Sequence, residues 1–304
     1  MVETTPVTIS LTRLLNKIQD KSVLLKNCPV PNFNILSHHL LNPYPDWVSK
    51  SKSWAIFGTF SDYVIRKILF NLFPKKIRLN YMIAANARRI LRNAIYNIQA
   101  FVQTPLTKQL LQNYNTQELF AFFNATESYI RNYLDNSINW KDSLYEIFQF
   151  SHLDKLRREN KLILPQTSKT LILKCIPFFE HIEHWLEYKF TESEGMYLNP
   201  TLGHEQTLNA DADLVINSTL YEIKTVLYPD KYIKEDFHQL YGYVALFEYL
   251  KEHEQIQNYK ILERSKIDSI GFIFPLFLQE IRMDISSWKI KNRLKYLKKL
   301  LSFK

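Results

Sequence analysis

Asn209-Ala210-Asp211-Ala212-Asp213-Leu214-Val215-Ile216-Asn217-Ser218-Thr219-Leu220-Tyr221-Glu222-Ile223-Lys224-Thr225 is the stretch around which the rest of the chain can be read. Strand-forming residues flank Asn217-Ser218, a dipeptide that turns a chain readily, so the segment is expected to form a β-hairpin with a short loop. With Asn217 and Ser218 as a two-residue loop, Ile216 faces Thr219, Asp213 faces Glu222 and Asp211 faces Lys224. Directly paired residues have Cβ atoms about 4.5–5.5 Å apart. Alternation then places Asp211, Asp213, Glu222 and Lys224 on one face. Ala212, Leu214, Ile216, Tyr221 and Ile223 fall on the other, the expected core face. A four-residue loop shifts the partners and preserves the faces, whereas an odd-length loop breaks the cluster.

Three acids and a lysine on one sheet face are costly unless something compensates their charge. A divalent cation does so: hard carboxylate oxygens suit Mg²⁺, which takes one or two carboxylates together with waters and substrate phosphates. A neighbouring lysine could orient or help deprotonate a metal-bound water and stabilise charge on a phosphate under attack. The chemistry expected of these residues is metal-assisted phosphodiester hydrolysis. The competing reading is a solvent-facing hairpin with cross-strand salt bridges, each worth ~0–1 kcal/mol, because Asp-x-Asp or Glu-x-Lys alone is common on exposed strands.

An acid, a variable interval and then Glu-x-Lys is the signature of the PD-(D/E)xK nuclease superfamily, which Asp213 with Glu222-Ile223-Lys224 resembles. The resemblance implies that Asp213, Glu222 and the Ile223 main-chain carbonyl hold Mg²⁺ or Mn²⁺ and that Lys224 is the catalytic lysine. Asp211 has no secure counterpart and is kept as a supporting residue. Downstream, Gln239 and Tyr243 are four apart, hence on one helix face. They resemble the Gln-x-x-x-Tyr helix that follows the Glu-x-Lys strand in the RecB-like and Cas4-like branch and packs beside its site. Upstream, Gly58 with Asp62 four residues on resembles that branch's first motif, in which a histidine at the second position reaches the metal. Asp62 departs from histidine but supplies a hard oxygen, and is carried over as a third ligand. Asp62 could instead favour a helix N-terminus or pair with Arg66 at i,i+4; Glu180 or Glu183 would then complete the site.

The resemblance covers residues 58–66 and 209–246. It implies an α/β fold, a restriction-endonuclease-like mixed sheet flanked by helices with a large helical insertion, acting as a nuclease on nucleic acid, with DNA the expected substrate. The alternative is a non-catalytic nucleic-acid-binding protein that retains the fold within a larger assembly. Several relatives in that branch carry an iron–sulfur cluster on four cysteines. Cys28 and Cys175 are the two cysteines here, so no such cluster is expected.

Composition narrows the classes further. The 304 residues are 46% hydrophobic and 23% charged, a globular balance, with a net charge of +9 that favours an anionic partner. Two distant cysteines exclude a disulfide framework and a four-cysteine zinc site. Five isolated glycines exclude a glycine-rich phosphate loop, so a P-loop ATPase or a dinucleotide-binding enzyme is not expected. No hydrophobic run approaches the ~20 residues that span a bilayer. Met1 to Pro6 lacks a basic region followed by an apolar one, so cytoplasmic residence is expected.

Residues 1–52 are expected to form an N-terminal helix, 7–27, and a proline-rich irregular connection, and residues 53–304 a nuclease domain. Within the latter, a helix is expected from about Thr59 to Phe73, with Gly58 turning the chain into it, Thr59 as cap and Asp62 near the first turn. A helical insertion follows at about 74–190 and the catalytic core at about 191–280. Arg88, Arg89, Arg92, Arg157 and Arg158 could grip phosphates or line solvated helix faces. His181, Glu183, His184 and Glu187 read as a polar helix face, lacking the further ligands that zinc needs. His204, Glu205 and Gln206 precede the hairpin closely. A helix over 234–252 carries Gln239, and 267–277 is a buried strand expected to join the same sheet. The basic segment 288–304, with Ile290, Leu294, Leu297 and Leu301 interleaved among its lysines and arginines, is expected to dock as a helix through its leucines, with contact to nucleic acid or an acidic membrane as the alternative.

Overall fold

The computed structural model describes residues 9–18, 24, 28–29, 44–49, 53–79, 83–200, 208–252 and 266–302. His204, Glu205 and Gln206, and most of 19–43, lie outside these. The chain divides into two compact units, residues 42–192 on one hand and 1–41 with 193–304 on the other. The expected limits were 1–52 and 53–304. The described residues 44–49 and the helix that follows belong to the helical unit, and residues 9–18 to the unit with the sheet.

In the 42–192 unit, apolar residues at helical spacing produce a helical bundle. Its first long helix is Ser53–Leu72, not a helix starting near Thr59. Gly58 lies inside it, and the Thr59 hydroxyl donates to the Ala55 carbonyl at 3.2 Å and caps no terminus. Phe57, Phe60, Val64, Ile68 and Leu69 are all fully buried along one stripe. That burial outweighs the ~1 kcal/mol that an internal glycine costs a helix. Phe60 packs edge-on against Phe148 and Phe179, with ring centroids 5.4 and 5.5 Å away. Helices Ile83–Gln99, Pro105–Asn113, Thr116–Leu134, Trp140–Ser151 and Ile176–Phe190 complete the main framework. Thr104 and Asn115 start the second and third of these with capping boxes. Buried Lys67 donates to the Tyr133 and Asp135 carbonyls (2.9 and 2.6 Å), closing the C-terminus of Thr116–Leu134.

The other unit is mixed α/β. Five strands, β1 (Met196–Leu198), β2 (Leu214–Ile216), β3 (Thr219–Ile223), β4 (Ser269–Phe274) and β5 (Gln279–Asp284), pair in that order. All neighbours are antiparallel except β3 and β4, which are parallel. A parallel pair needs a crossover, and helix Pro229–Glu252 supplies it. The hairpin forms in the expected register, Ile216 opposite Thr219 and Leu214 opposite Tyr221. Asn217 takes a left-handed conformation (φ 52°), which asparagine tolerates. Its side-chain oxygen accepts from the Glu194 and Gly195 amides at 2.9 and 3.3 Å, tying the turn to the start of β1.

Both faces of the hairpin are covered, a correction to the expected one-sided burial. Val215 and Leu220, on the face of Glu222, are as fully buried as Leu214 on the other. Phe272 pairs with Glu222 across the β3–β4 ladder, and its ring meets Phe237 of the crossover helix at 4.8 Å. The acidic face is therefore the end of a helix-covered apolar face. On the opposite face Gly271 leaves room for the Tyr221 ring. The basic C-terminal helix Ile290–Leu301 packs on Pro229–Glu252, burying Arg293, Tyr296, Leu297 and Leu300; of the apolar positions expected, Leu297 is buried, Leu294 and Leu301 are half-buried and Ile290 is exposed. Buried Arg293 anchors it, reaching Glu248 at 3.0 Å and the Ile267 and Ile285 carbonyls. No helix among the described residues is long and apolar enough to cross a membrane.

Candidate active site

The β2–β3 ladder ends at Leu214 and Tyr221, and beyond it the strands diverge. On β2 the Asp213 carbonyl accepts from Asn199 at 2.9 Å and the Ala212 amide donates to the Pro200 carbonyl at 3.1 Å. On β3 the Lys224 amide donates to the Ile273 carbonyl of β4 at 2.9 Å. The Ile223 amide, facing the gap, is taken by Asp213 Oδ2 at 2.8 Å. Asp213 thus substitutes a carboxylate oxygen for a ladder carbonyl, which fixes its side chain beside the β3 main chain. The expected pair of Asp211 with Lys224 does not form in the ladder, because the register stops before it; Asp211 is half-buried.

Glu222 and Lys224 project together toward the crossover helix. Lys224 Nζ lies 3.4 Å from Glu222 Oε1 and 3.1 Å from Asp236 Oδ1. These side chains are 19%, 13% and 21% exposed respectively, so water screens them only in part. Burial works against the Lys224 ammonium, but Glu222, Asp236 and Asp213 outweigh it and raise its pKa above the ordinary lysine value. Lys224 is therefore a cation here. Gln239 donates to Glu222 Oε1 at 3.3 Å and to the hydroxyl of buried Tyr243. A tyrosine-held glutamine thus fixes the glutamate.

The structure thus brings together Asp213, Glu222, Ile223, Lys224, Gln239 and Tyr243. Sequence inspection missed Asp236, which lies one turn before Gln239; that i,i+3 spacing is the signal that could have found it. Asp62 belongs to the helical unit and sits in the third turn of Ser53–Leu72, away from its N-terminus. Its Oδ2 pairs with Arg66 Nη2 at 2.7 Å, the i,i+4 alternative raised above. Glu180 accepts from Lys141 at 2.7 Å and Glu183 from the Trp140 indole at 2.9 Å. Arg88 pairs with Glu127 and Arg158 with Asp154.

Three carboxylates around one ammonium leave an excess of two negative charges in a partly desolvated spot, and this donor set is hard oxygen throughout. Among the described residues no three His, Cys, Asp or Glu side chains are gathered closely enough to hold a metal ion by themselves. Mg²⁺ asks for less, one or two carboxylates with waters, and Asp213 with Glu222 fits that demand in type and charge. Comparisons of the chain with protein-family models, curated proteins and solved structures yield no match.

Proposed function

We propose that this protein is a metal-dependent nuclease of restriction-endonuclease-like fold that hydrolyses phosphodiester bonds, with DNA as substrate. The observation that carries the reading is the convergence of Asp213, Glu222, Lys224 and Gln239 at one partly buried end of β3, with net negative charge. Asp213 and Glu222 would hold Mg²⁺ or Mn²⁺, and the Ile223 carbonyl is the third donor that the family resemblance suggests. The cation would supply Lewis-acid polarisation of a phosphoryl oxygen and an activated water. Lys224, kept charged by its ion pairs, serves as an electrostatic partner for a phosphate and for the attacking oxygen, not as a proton acceptor. Asp236 aims Lys224 from the helix side, and Gln239, held by Tyr243, aims Glu222. Asp62 is not needed for these roles.

The test is cleavage of linear and circular, single- and double-stranded DNA by the full chain with Mg²⁺, Mn²⁺ or EDTA. Cutting should require the metal and fall by about 10²–10³-fold in Lys224→Ala. Metal-independent cutting, or a fully active Lys224→Ala, would overturn the proposal. A second reading, a nucleic-acid-binding protein that does not cut, draws on the same ion pairs, because Lys224 already neutralises part of the acidic charge. Binding without cleavage under every metal condition would select it.

A further inference from the structure

The helical unit presents one face that its own packing does not explain. Between Asp62 and Glu118 the chain carries nine Lys and Arg and no Asp or Glu, an excess as large as the net +9 of all 304 residues. Helix Ile83–Gln99 lies in this stretch and buries Ala84, Ala87, Leu91, Ala94 and Ile95. On its outer side Arg89, Arg92 and Tyr96 follow one another at helical spacing, all exposed, Tyr96 by 62%. Arg88 is turned aside, over the Phe123 ring and paired with Glu127. Arg89 and Arg92 form no ion pair among the described residues.

The end of this helix is built in an unusual way. The Val102 amide donates to the Asn97 carbonyl at 2.7 Å and the Phe101 amide to the Ile98 carbonyl at 3.1 Å. These are the paired bonds of a Schellman turn, whose left-handed position ordinarily holds glycine. Here it holds Phe101 (φ 57°), a conformation that is costly for a bulky residue. The ring is 93% exposed, so burial does not offset that cost. The turn is also held from its far side: the Thr107 hydroxyl donates to the Val102 carbonyl at 3.3 Å within the capping box that starts Pro105–Asn113. A fixed, strained connection therefore holds an aromatic ring out in water at the end of the helix that carries Arg89, Arg92 and Tyr96.

We propose that this face binds single-stranded nucleic acid, with Arg89 and Arg92 meeting phosphates and Tyr96 and Phe101 stacking on unpaired bases. Charge decides for an anionic partner, since a segment without a single acid repels cationic ones. The separation of the rings decides for a strand. Two single exposed rings, Tyr96 and Phe101, following the exposed Arg89 and Arg92 along the chain suit unpaired bases and their phosphates, whereas a duplex hides its base faces and an apolar protein partner would need a contiguous apolar patch. The surface shares with the proposed nuclease activity only the premise that the ligand is nucleic acid, and binding here needs no cleavage.

The experiment is fluorescence anisotropy of a labelled mixed-sequence DNA strand, alone and annealed to its complement, with the full chain in EDTA so that nothing is cut. Phe101→Gly should weaken single-strand binding roughly 5- to 150-fold, the range that loss of one stacked base gives. It should not lower the melting temperature, because glycine is at ease in the left-handed region. Phe101→Trp should bind as the wild type does. Replacing Arg89 and Arg92 together by Gln should flatten the slope of log affinity against log salt by about 0.7 per lost phosphate contact. Wild-type affinity in Phe101→Gly, an unchanged salt slope in the arginine variant, or a loss confined to the duplex would each overturn the proposal. So would Phe101-dependent binding to vesicles of anionic lipid with oligonucleotide affinity unaltered. Metal-dependent cutting is scored separately: a chain that binds the strand through Phe101 in EDTA and never cuts with Mg²⁺ supports this surface while refuting the nuclease reading.

Discussion

Replacing Lys224 by Met removes the one positive charge set among Glu222, Asp236 and Asp213 while keeping most of the side chain's bulk. At 3.4 and 3.1 Å the two ion pairs are each worth about 5 kcal/mol of Coulomb attraction at an effective dielectric of about 20. Desolvation of the ammonium offsets part of this, and side chains 13–21% exposed are screened by water. Breaking a buried pair by deleting one partner costs about 3–5 kcal/mol, because the other charge stays behind uncompensated. Partial exposure places this site at the lower end, about 3 kcal/mol. In a unit of this size 1 kcal/mol moves the melting temperature by about 2–4 °C, so Lys224→Met in EDTA should melt about 6–12 °C below wild type. Mg²⁺ should then recover part of the loss, since a ligand that binds the folded state stabilises it by mass action and the uncompensated carboxylates attract a cation more strongly. Differential scanning calorimetry with and without Mg²⁺ checks both halves. An unchanged melting temperature in EDTA would refute the claim that Lys224 compensates these acids. A variant as blind to Mg²⁺ as to EDTA would refute the claim that Asp213 and Glu222 can hold the metal.

Three further expectations follow from the packing. A Cβ on Gly271 would come within 2.6 Å of the Tyr221 ring and 2.7 Å of the Ile281 carbonyl, and the carbonyl cannot yield, so Gly271→Ala should cost ~1–3 kcal/mol by urea unfolding. His152 hydrogen-bonds the Ile163 carbonyl through Nδ1 at 2.9 Å, and burial lowers its pKa to about 4. The unfolded chain takes up that proton near pH 6.5 and the folded one only near pH 4, so this contribution to stability is complete above pH 6.5 and is lost as pH falls between the two, by up to roughly 3 kcal/mol. Stability of His152→Gln, measured across the same range, should fall less steeply. Asn217→Ala forfeits the acceptor for two amides and strains the turn, whereas Asn217→Gly forfeits the acceptor alone, so the alanine variant should be less stable by about 1 kcal/mol in chemical denaturation.

Local chemistry made some of this legible in the chain and hid the rest. The one-sidedness of Asp213, Glu222 and Lys224 follows from a two-residue turn and the period of two, both local. That Gln239 and Tyr243 share a helix face follows from helical spacing, whereas their place beside the site was implied by the family resemblance alone. Strands β1 and β5 were not anticipated; Gln279 to Asp284 alternates polar and apolar residues too weakly to announce an edge strand, and its partner β4 had to exist first. Gly58 and Thr59 read as a helix start because punctuation rules are local, while the burial of Phe57 and Phe60 that carries the helix through them is not.

The sequence by itself determined the hairpin register, the hard-oxygen character of the site and the helical form of the basic segment at 290–301, because turn residues, alternation and apolar spacing act between near neighbours. Tertiary structure alone decided that Asp236 meets Lys224, that Asp213 spends an oxygen on the Ile223 amide, and that the acidic face lies under the crossover helix. Those outcomes depend on where β3 parts from β2 and on what packs across the gap, and residues far apart in the chain settle both.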